Sequence, residues 1–105
     1  MAVKKQYNSF SELLTESSTP VLVDFYAVWC GPCQMMSPVL DAVKKQFHDR
    51  LTVVKIDTDK YPEIASEYHI LALPTLILFQ DGKPAQRFEG MRSSEQLISE
   101  LEQLL

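Results

Sequence analysis

Cysteine and histidine are scarce in this chain, with two of each among 105 residues. That scarcity excludes the common metal and haem readings. A zinc centre usually takes four ligands, and here it would have to join Cys30 and Cys33 to His48 and His69, far from the short histidine spacing of a finger. A covalent haem would need histidine directly after the second cysteine, where Gln34 stands. Glycine occurs three times, with no glycine-rich loop to cradle phosphate, so no bound cofactor and no metal are expected. Ten basic against fourteen acidic residues give a net charge of -4. No basic cluster exceeds Lys4-Lys5 or Lys44-Lys45, which excludes nucleic acid as a partner. No apolar run approaches membrane-spanning length, and Met1-Ala2-Val3-Lys4-Lys5 lacks the apolar stretch of a secretory signal. The expectation is a soluble cytoplasmic protein, with the mature form of an organellar protein as the alternative. Repeats, low-complexity stretches and linkers are also missing, and 105 residues, 46% of them apolar, suit a single domain over 1–105.

What is present is concentrated in Trp29-Cys30-Gly31-Pro32-Cys33, which separates an apolar run from a helix-patterned stretch. A Cys-x-x-Cys pair at the mouth of a helix puts both sulfurs on one turn, where one can ionise while the other waits within bonding reach. As a purely structural staple the pair would achieve little, because the stabilisation from a disulfide grows with the loop it closes. A bond made and broken in turn is the better reading.

Periodicity alternates between helix and strand. Ser9-Phe10-Ser11-Glu12 has the form of a capping box and predicts a first helix to about residue 18. The nearly all-apolar stretch 21–27 predicts a central strand covered on both faces. From Gly31, the residues Met36, Val39, Leu40, Val43 and Phe47 form one helical stripe, interrupted by Pro38. A strand is predicted over 51–56 and a short helix over 62–69, opened by Pro62. Two further strands, 75–79 and 85–88, flank Gln80-Asp81-Gly82-Lys83, where Asp-Gly signals a tight hairpin. Ser93-Ser94-Glu95-Gln96 caps a last helix whose Leu97, Ile98, Leu101, Leu104 and Leu105 are expected on one apolar face. Together these predict an α/β fold, a mixed sheet with helices on both faces.

Asp24-Phe25, Trp29-Cys30-Gly31-Pro32-Cys33, Pro38, Lys55 with Asp57, Pro74-Thr75, Gly82 and Gly90, in that order over essentially the whole chain, resemble the thioredoxin family. The resemblance implies a central five-stranded mixed sheet in the order 1-3-2-4-5, flanked by four helices. It implies a protein-disulfide reductase, monomeric and without a cofactor of its own. Such a protein is recharged by a separate thioredoxin reductase fed by NADPH, ferredoxin or flavin. Its partners would be disulfide-containing proteins such as peroxiredoxins or reductases.

Only a thiolate attacks a disulfide, and a free cysteine with a pKa of about 8.5 is roughly 3% ionised at pH 7. Cys30 precedes a helix whose unpaired N–H groups and dipole favour the anion, which makes it the expected nucleophile. Cys33, one turn on, is the expected resolving thiol. Gly31 lets a target approach and Pro32 stiffens the turn, and neither adds positive charge. A histidine there would stabilise the thiolate and make an oxidant, so its absence favours an electron donor.

Asp24 lies in a buried strand, where an unpaired carboxylate is costly and its pKa should rise. A satisfied core carboxylate and a proton carrier are both open readings. The resemblance favours the carrier, placed behind Cys33 with Lys55 as its partner. It also implies a cis Pro74 facing the cysteines, with the Leu73 backbone free to pair with an extended target, and Trp29 and Gly90 completing the docking surface. Trp29 could instead simply pack over the sheet edge. Met35, Met36, Tyr7, Tyr61 and Tyr68 are expected to pack, and His48 and His69 to lie at the surface or cap helices.

Several positions depart from the family's usual pattern. Gln34 replaces a basic residue, Tyr26 a tryptophan, Val28 a polar or acidic residue and Met91 an alanine, and Leu71-Ala72-Leu73 is unusually apolar. These changes predict a less charged, more hydrophobic rim and a shifted set of targets. An oxidase or isomerase on the same scaffold, or a binding subunit without turnover, are the alternative functions.

Overall fold

The computed structural model describes residues 9–105. Ser9 Oγ accepts the Glu12 N–H at 3.1 Å and caps α1 (Phe10–Glu16). This helix stops two residues short of the predicted end, because the Ser17 hydroxyl turns to the Thr19 carbonyl at 2.8 Å and Ser17 adopts extended backbone. Next come β1 (Val21–Tyr26), α2 (Gly31–Phe47), a 3-10 turn at His48–Arg50 that the pattern did not predict, and β2 (Thr52–Asp57). The chain continues through α3 (Pro62–Glu67), β3 (Thr75–Gln80), β4 (Lys83–Glu89) and α4 (Ser94–Leu104). His48 and His69 both adopt left-handed backbone, His48 at the C-cap of α2 and His69 just after α3.

Among the described residues the sheet has four strands in the order β2-β1-β3-β4. The expected order 1-3-2-4-5 has five; its first strand precedes α1 and lies outside the described residues, as does Tyr7. The other four follow that order. β1 pairs in parallel with β2, a connection that requires a crossover, and α2 supplies it. β1 is antiparallel to β3, and β3 to β4. Asp81 and Gly82, at φ 54° and 79°, form the tight connection that the Asp-Gly pair predicted. Pro84 sits at a register shift on the edge strand β4, where a missing N–H does little harm.

Alternation along β1 sends its side chains into two layers. Leu22 packs with Met36, Leu40, Val43 and Phe47 of α2 and with Leu97 and Leu101 of α4. Val21, Val23 and Phe25 pack on the other face with Leu14, Ile77 and Phe79, joined by Phe10 and Tyr68. The predicted two-sided burial of this strand is therefore observed, and Asp24, two residues after Leu22, is on the α2 side.

α4 carries the full reciprocal capping box at Ser93 and Gln96. Its apolar face is narrower than predicted, because Leu104 is 36% exposed and Leu105 37%. The helix end runs past the edge of the layer that covers Leu101. Leu101→Ala is therefore expected to cost about 3 kcal/mol and Leu104→Ala less than about 1 kcal/mol, as read from urea unfolding midpoints.

Candidate active site at the start of α2

β1 ends at Tyr26, and residues 27–30 turn the chain into α2. The Cys30 N–H donates to the Ala27 carbonyl at 3.2 Å, and Cys30 takes the N-cap position with φ -89° and ψ 109°. Its Sγ accepts the Cys33 N–H at 3.3 Å. The sulfur thus occupies the place of a capping oxygen, where free N–H groups and the helix dipole favour negative charge. Cys30 and Cys33 are disulfide-bonded, with their Cα atoms 5.3 Å apart. Gly31 and Pro32 make the intervening turn, and a Cβ on Gly31 would meet nothing within 4 Å. The chain leaves this approach to the sulfurs open.

The two cysteines open onto different spaces. Cys30 lines a groove of about 520 Å³ with Trp29, Gly31, Pro32, Thr58, Ile70, Leu71 and Leu73. Cys33 lines a cavity of about 230 Å³ with Tyr26, Val28, Gln34, Ser37 and Lys55. Among the described residues no charged side chain lines the groove. Leu71 is 95% exposed and Trp29 69%, and Val28, Met35 and Met91 are also exposed. The hydrophobic rim read from the sequence is present. Met35, expected to pack, is exposed instead, while Met36 one residue on is fully buried.

Hydrogen bonds hold the groove walls. Trp29 Nε1 donates to Asp59 Oδ2 at 2.8 Å, so the exposed ring is anchored rather than packed away. Asp59 is itself placed by Asp57, whose Oδ1 accepts the Asp59 N–H at 2.9 Å. Thr58 donates to the Tyr26 carbonyl through both its N–H and its hydroxyl. On the opposite wall the Leu73–Pro74 peptide is cis, and the Thr75 hydroxyl donates to the Ala72 carbonyl at 2.7 Å. Leu73 packs against the Ala27, Cys30 and Cys33 cluster and makes no backbone hydrogen bond among the described residues. Gly90 does not line the groove. Its N–H donates to the Pro74 carbonyl at 3.0 Å, and its φ of 81° accounts for glycine there. Arg87 donates to the carbonyls of Tyr68 and His69 at 2.8 and 2.6 Å, tying the end of α3 to β4 just before the groove loop. Neither Asp59 nor Arg87 was singled out from the sequence, since each acts on residues far from it along the chain.

Asp24 is 1% exposed, and among the described residues neither carboxylate oxygen has a hydrogen-bond partner. Burial pushes its pKa up from 3.8 to about 6, against the opposing pull of Lys55. Lys55 is the register partner of Asp24 on β2, yet among the described residues the two form no ion pair. The Lys55 ammonium instead lies 4.8 Å from the centroid of the Tyr26 ring. Lys55, the expected partner, therefore acts on Asp24 through space. Among the described residues no group of three or more His, Cys, Asp or Glu could hold a metal ion.

An acid whose pKa is raised on folding stabilises the fold while protonated, and that stability is lost as pH rises through the interval from 3.8 to about 6. The shift corresponds to at most roughly 3 kcal/mol. Asp24→Asn is expected to be more stable than the parent above about pH 7 and to gain little below about pH 4. Urea titrations of the oxidised protein across this range would measure it, and parallel stability curves for the two proteins would contradict it.

The family profile described as Thioredoxin matches residues 1–103. Thioredoxin-like protein slr0233 of Synechocystis sp. is 57% identical over 102 residues, covering 97% of each chain. Thioredoxin Y1, chloroplastic, of Arabidopsis thaliana is 55% identical over 104 residues, covering 99% of this chain and 60% of that relative. The Bifunctional thioredoxin reductase/thioredoxin of Mycobacterium leprae is 45% identical over 92 residues, covering 88% of this chain and 20% of that protein. The chain thus spans nearly all of the cyanobacterial relative but about three fifths of the plant one. With similarity reaching from end to end through the bonded sulfur pair, the chain belongs to the thioredoxin family of thiol–disulfide oxidoreductases.

Proposed function

We propose that this chain acts as a single domain over 1–105 that reduces disulfides in other proteins, with Cys30 as the attacking sulfur and Cys33 as the resolving one. The observation that carries this reading is the separation of the two cysteines, Cys30 on the open groove and Cys33 on the cavity behind it. In the reduced protein the Cys30 thiolate is favoured by the α2 N-terminus and attacks one sulfur of a target disulfide. A Cys30–target disulfide forms, and the target's other sulfur leaves as a thiolate. Cys33 then gives its proton to the Asp24 carboxylate and attacks Cys30 Sγ. The Cys30–Cys33 disulfide closes, the second target sulfur leaves as a thiolate, and two electrons have passed to the target.

The groove suits an extended target segment. Leu73 offers an unengaged backbone beside Cys30, and main-chain pairing gives affinity without selecting a sequence. Trp29, Gly31 and Pro32 form the facing wall, while Pro74 and Gly90 hold the Leu73 loop. Selection falls to the apolar rim, which favours targets with apolar residues around the attacked disulfide over strongly charged ones.

The domain needs an external source of electrons. The Mycobacterium leprae relative, whose name joins thioredoxin reductase to thioredoxin, supports a reductase of that class as the partner. That reductase would draw on NADPH, ferredoxin or flavin. Among the described residues no helix is long and apolar enough to cross a membrane. The cytoplasm is the proposed location, and the chloroplastic relatives support the aqueous interior of an organelle equally.

The midpoint potential of the Cys30–Cys33 couple tests the direction of transfer. A couple more reducing than glutathione is expected, and a more oxidising one would instead indicate an oxidase or isomerase. Cys33→Ser is expected to accumulate a mixed disulfide with a disulfide-bearing target through Cys30, visible by non-reducing electrophoresis and mass. Cys30→Ser should trap none, and trapping through Cys33 would reverse the assignment.

Asp24→Asn is expected to slow closure of the Cys30–Cys33 bond by roughly 10²-fold at neutral pH, within the range of a lost general base, and to leave the first attack nearly unchanged. Stopped-flow fluorescence resolves the two phases. Equal closure rates would remove Asp24 from the reaction.

A further inference from the structure

The aromatic ring beside Asp24 is not used by the cycle described above. Tyr26 ends β1 two residues after Asp24, so both side chains project from the same face of the sheet. Lys55 is the β2 residue in register with Asp24, and an exposed lysine at that place could swing toward the buried carboxylate. Its Nζ lies instead over the Tyr26 ring, 4.8 Å from the centroid, within the range of a cation–π contact. Tyr26 and Lys55 both line the cavity behind Cys33. One small space therefore holds the resolving cysteine, the cation and the ring that holds the cation.

We propose that Tyr26 is a positioning residue for the resolving step: its ring holds the Lys55 ammonium at the cavity behind Cys33, prevents an ion pair with Asp24 and leaves that carboxylate able to take the Cys33 proton. This rests on the reading of Asp24 as the proton carrier. An ion pair within bonding distance would favour the ionised carboxylate and weaken it as a base. Without any nearby cation, burial alone would hold the proton more tightly. Holding the ammonium on the ring keeps Asp24 between those extremes, in keeping with its position at about 6.

The other titratable groups around Asp24 do not take over this role. Asp57, next along β2, is engaged by the Asp59 and Lys60 N–H groups. Cys30 and Cys33 at the start of α2 are the reacting pair. Leu76, the register partner of Asp24 on β3, carries no charge, and α4 contributes Leu97 and Leu101 to this layer. Lys55 is the cation that acts on Asp24, and Tyr26 is what it touches.

The test is an NMR titration of the Asp24 carboxyl in the oxidised protein, paired with the pH profile of mixed-disulfide resolution. Tyr26→Phe keeps the ring face and should keep the parent titration. Tyr26→Leu removes it, and the Asp24 midpoint should then fall by about one unit as Lys55 swings in. In a Lys55→Met background the same substitution should produce no such fall. Tyr26→Met serves in place of Tyr26→Leu if the latter does not fold. An unmoved midpoint overturns the proposal. So does a fall that persists with Lys55→Met, which would mean that water entering the enlarged cavity, and not the cation, had moved the acid. A midpoint that falls in a Lys55-dependent way while the resolution profile stays put overturns the proton-carrier reading, and with it the role of Tyr26 in the reaction.

Discussion

The site depends on one constraint, the burial of β1 on both faces. A strand packed between α2 and α4 on one side and α1 and α3 on the other cannot shift, so the residues leaving its end are placed by the whole core. The chain leaves β1 at Tyr26 and enters α2 five residues later, with Cys30 at the cap. Unsatisfied N–H groups converge at such a helix start whatever residue stands there. A sulfur at that position acquires an environment that favours its anion without needing a neighbouring cation. The groove walls are registered to the same strand end, through Thr58 on the Tyr26 carbonyl and Leu73 packed on the cysteine cluster.

The same burial creates the Asp24 problem and its use. A carboxylate in the central strand with both oxygens unpartnered among the described residues weakens the fold at neutral pH. A leucine there would continue the packing of Leu22. The destabilising residue gives the protein an acid that changes charge near neutrality, which an exposed aspartate does not do. Stability is given up in the layer of the core that faces the reacting helix.

Much of this was legible in the residue pattern because it depends on local rules. Ser9 and Ser93 cap the helices they precede, Asp81-Gly82 makes its tight turn, and the apolar run of β1 is covered twice. The Cys-x-x-Cys spacing alone places both sulfurs on one turn. What the pattern could not show depends on where distant elements stop. Leu104 has the spacing of a core residue but extends beyond the layer it was expected to join. Met35 follows a helix's composition yet faces solvent. Asp59 meets Trp29, and Arg87 meets Tyr68 and His69, only because the sheet brings together segments many residues apart. Lys55 stands in register with Asp24, the residue it was expected to partner, but a long flexible side chain has several partners within reach. The choice of an aromatic face over a carboxylate is made by three-dimensional placement.

Access to the two sulfurs from different sides also answers a difficulty of the proposed exchange cycle. In that cycle a target joined to Cys30 would fill the groove, and closure of the internal bond would still require Cys33 to lose a proton. If the groove were the only route, the target would obstruct the step that releases it. Cys33 opens instead on the cavity with Ser37, Gln34 and Lys55, on the side that Asp24 shares with α2. With the proposed roles, proton movement and target docking would use different sides of the pair, and neither would have to wait for the other. On the proposed cycle, an apolar groove would bind its target closely and exclude water around the mixed disulfide without isolating Cys33 from Asp24.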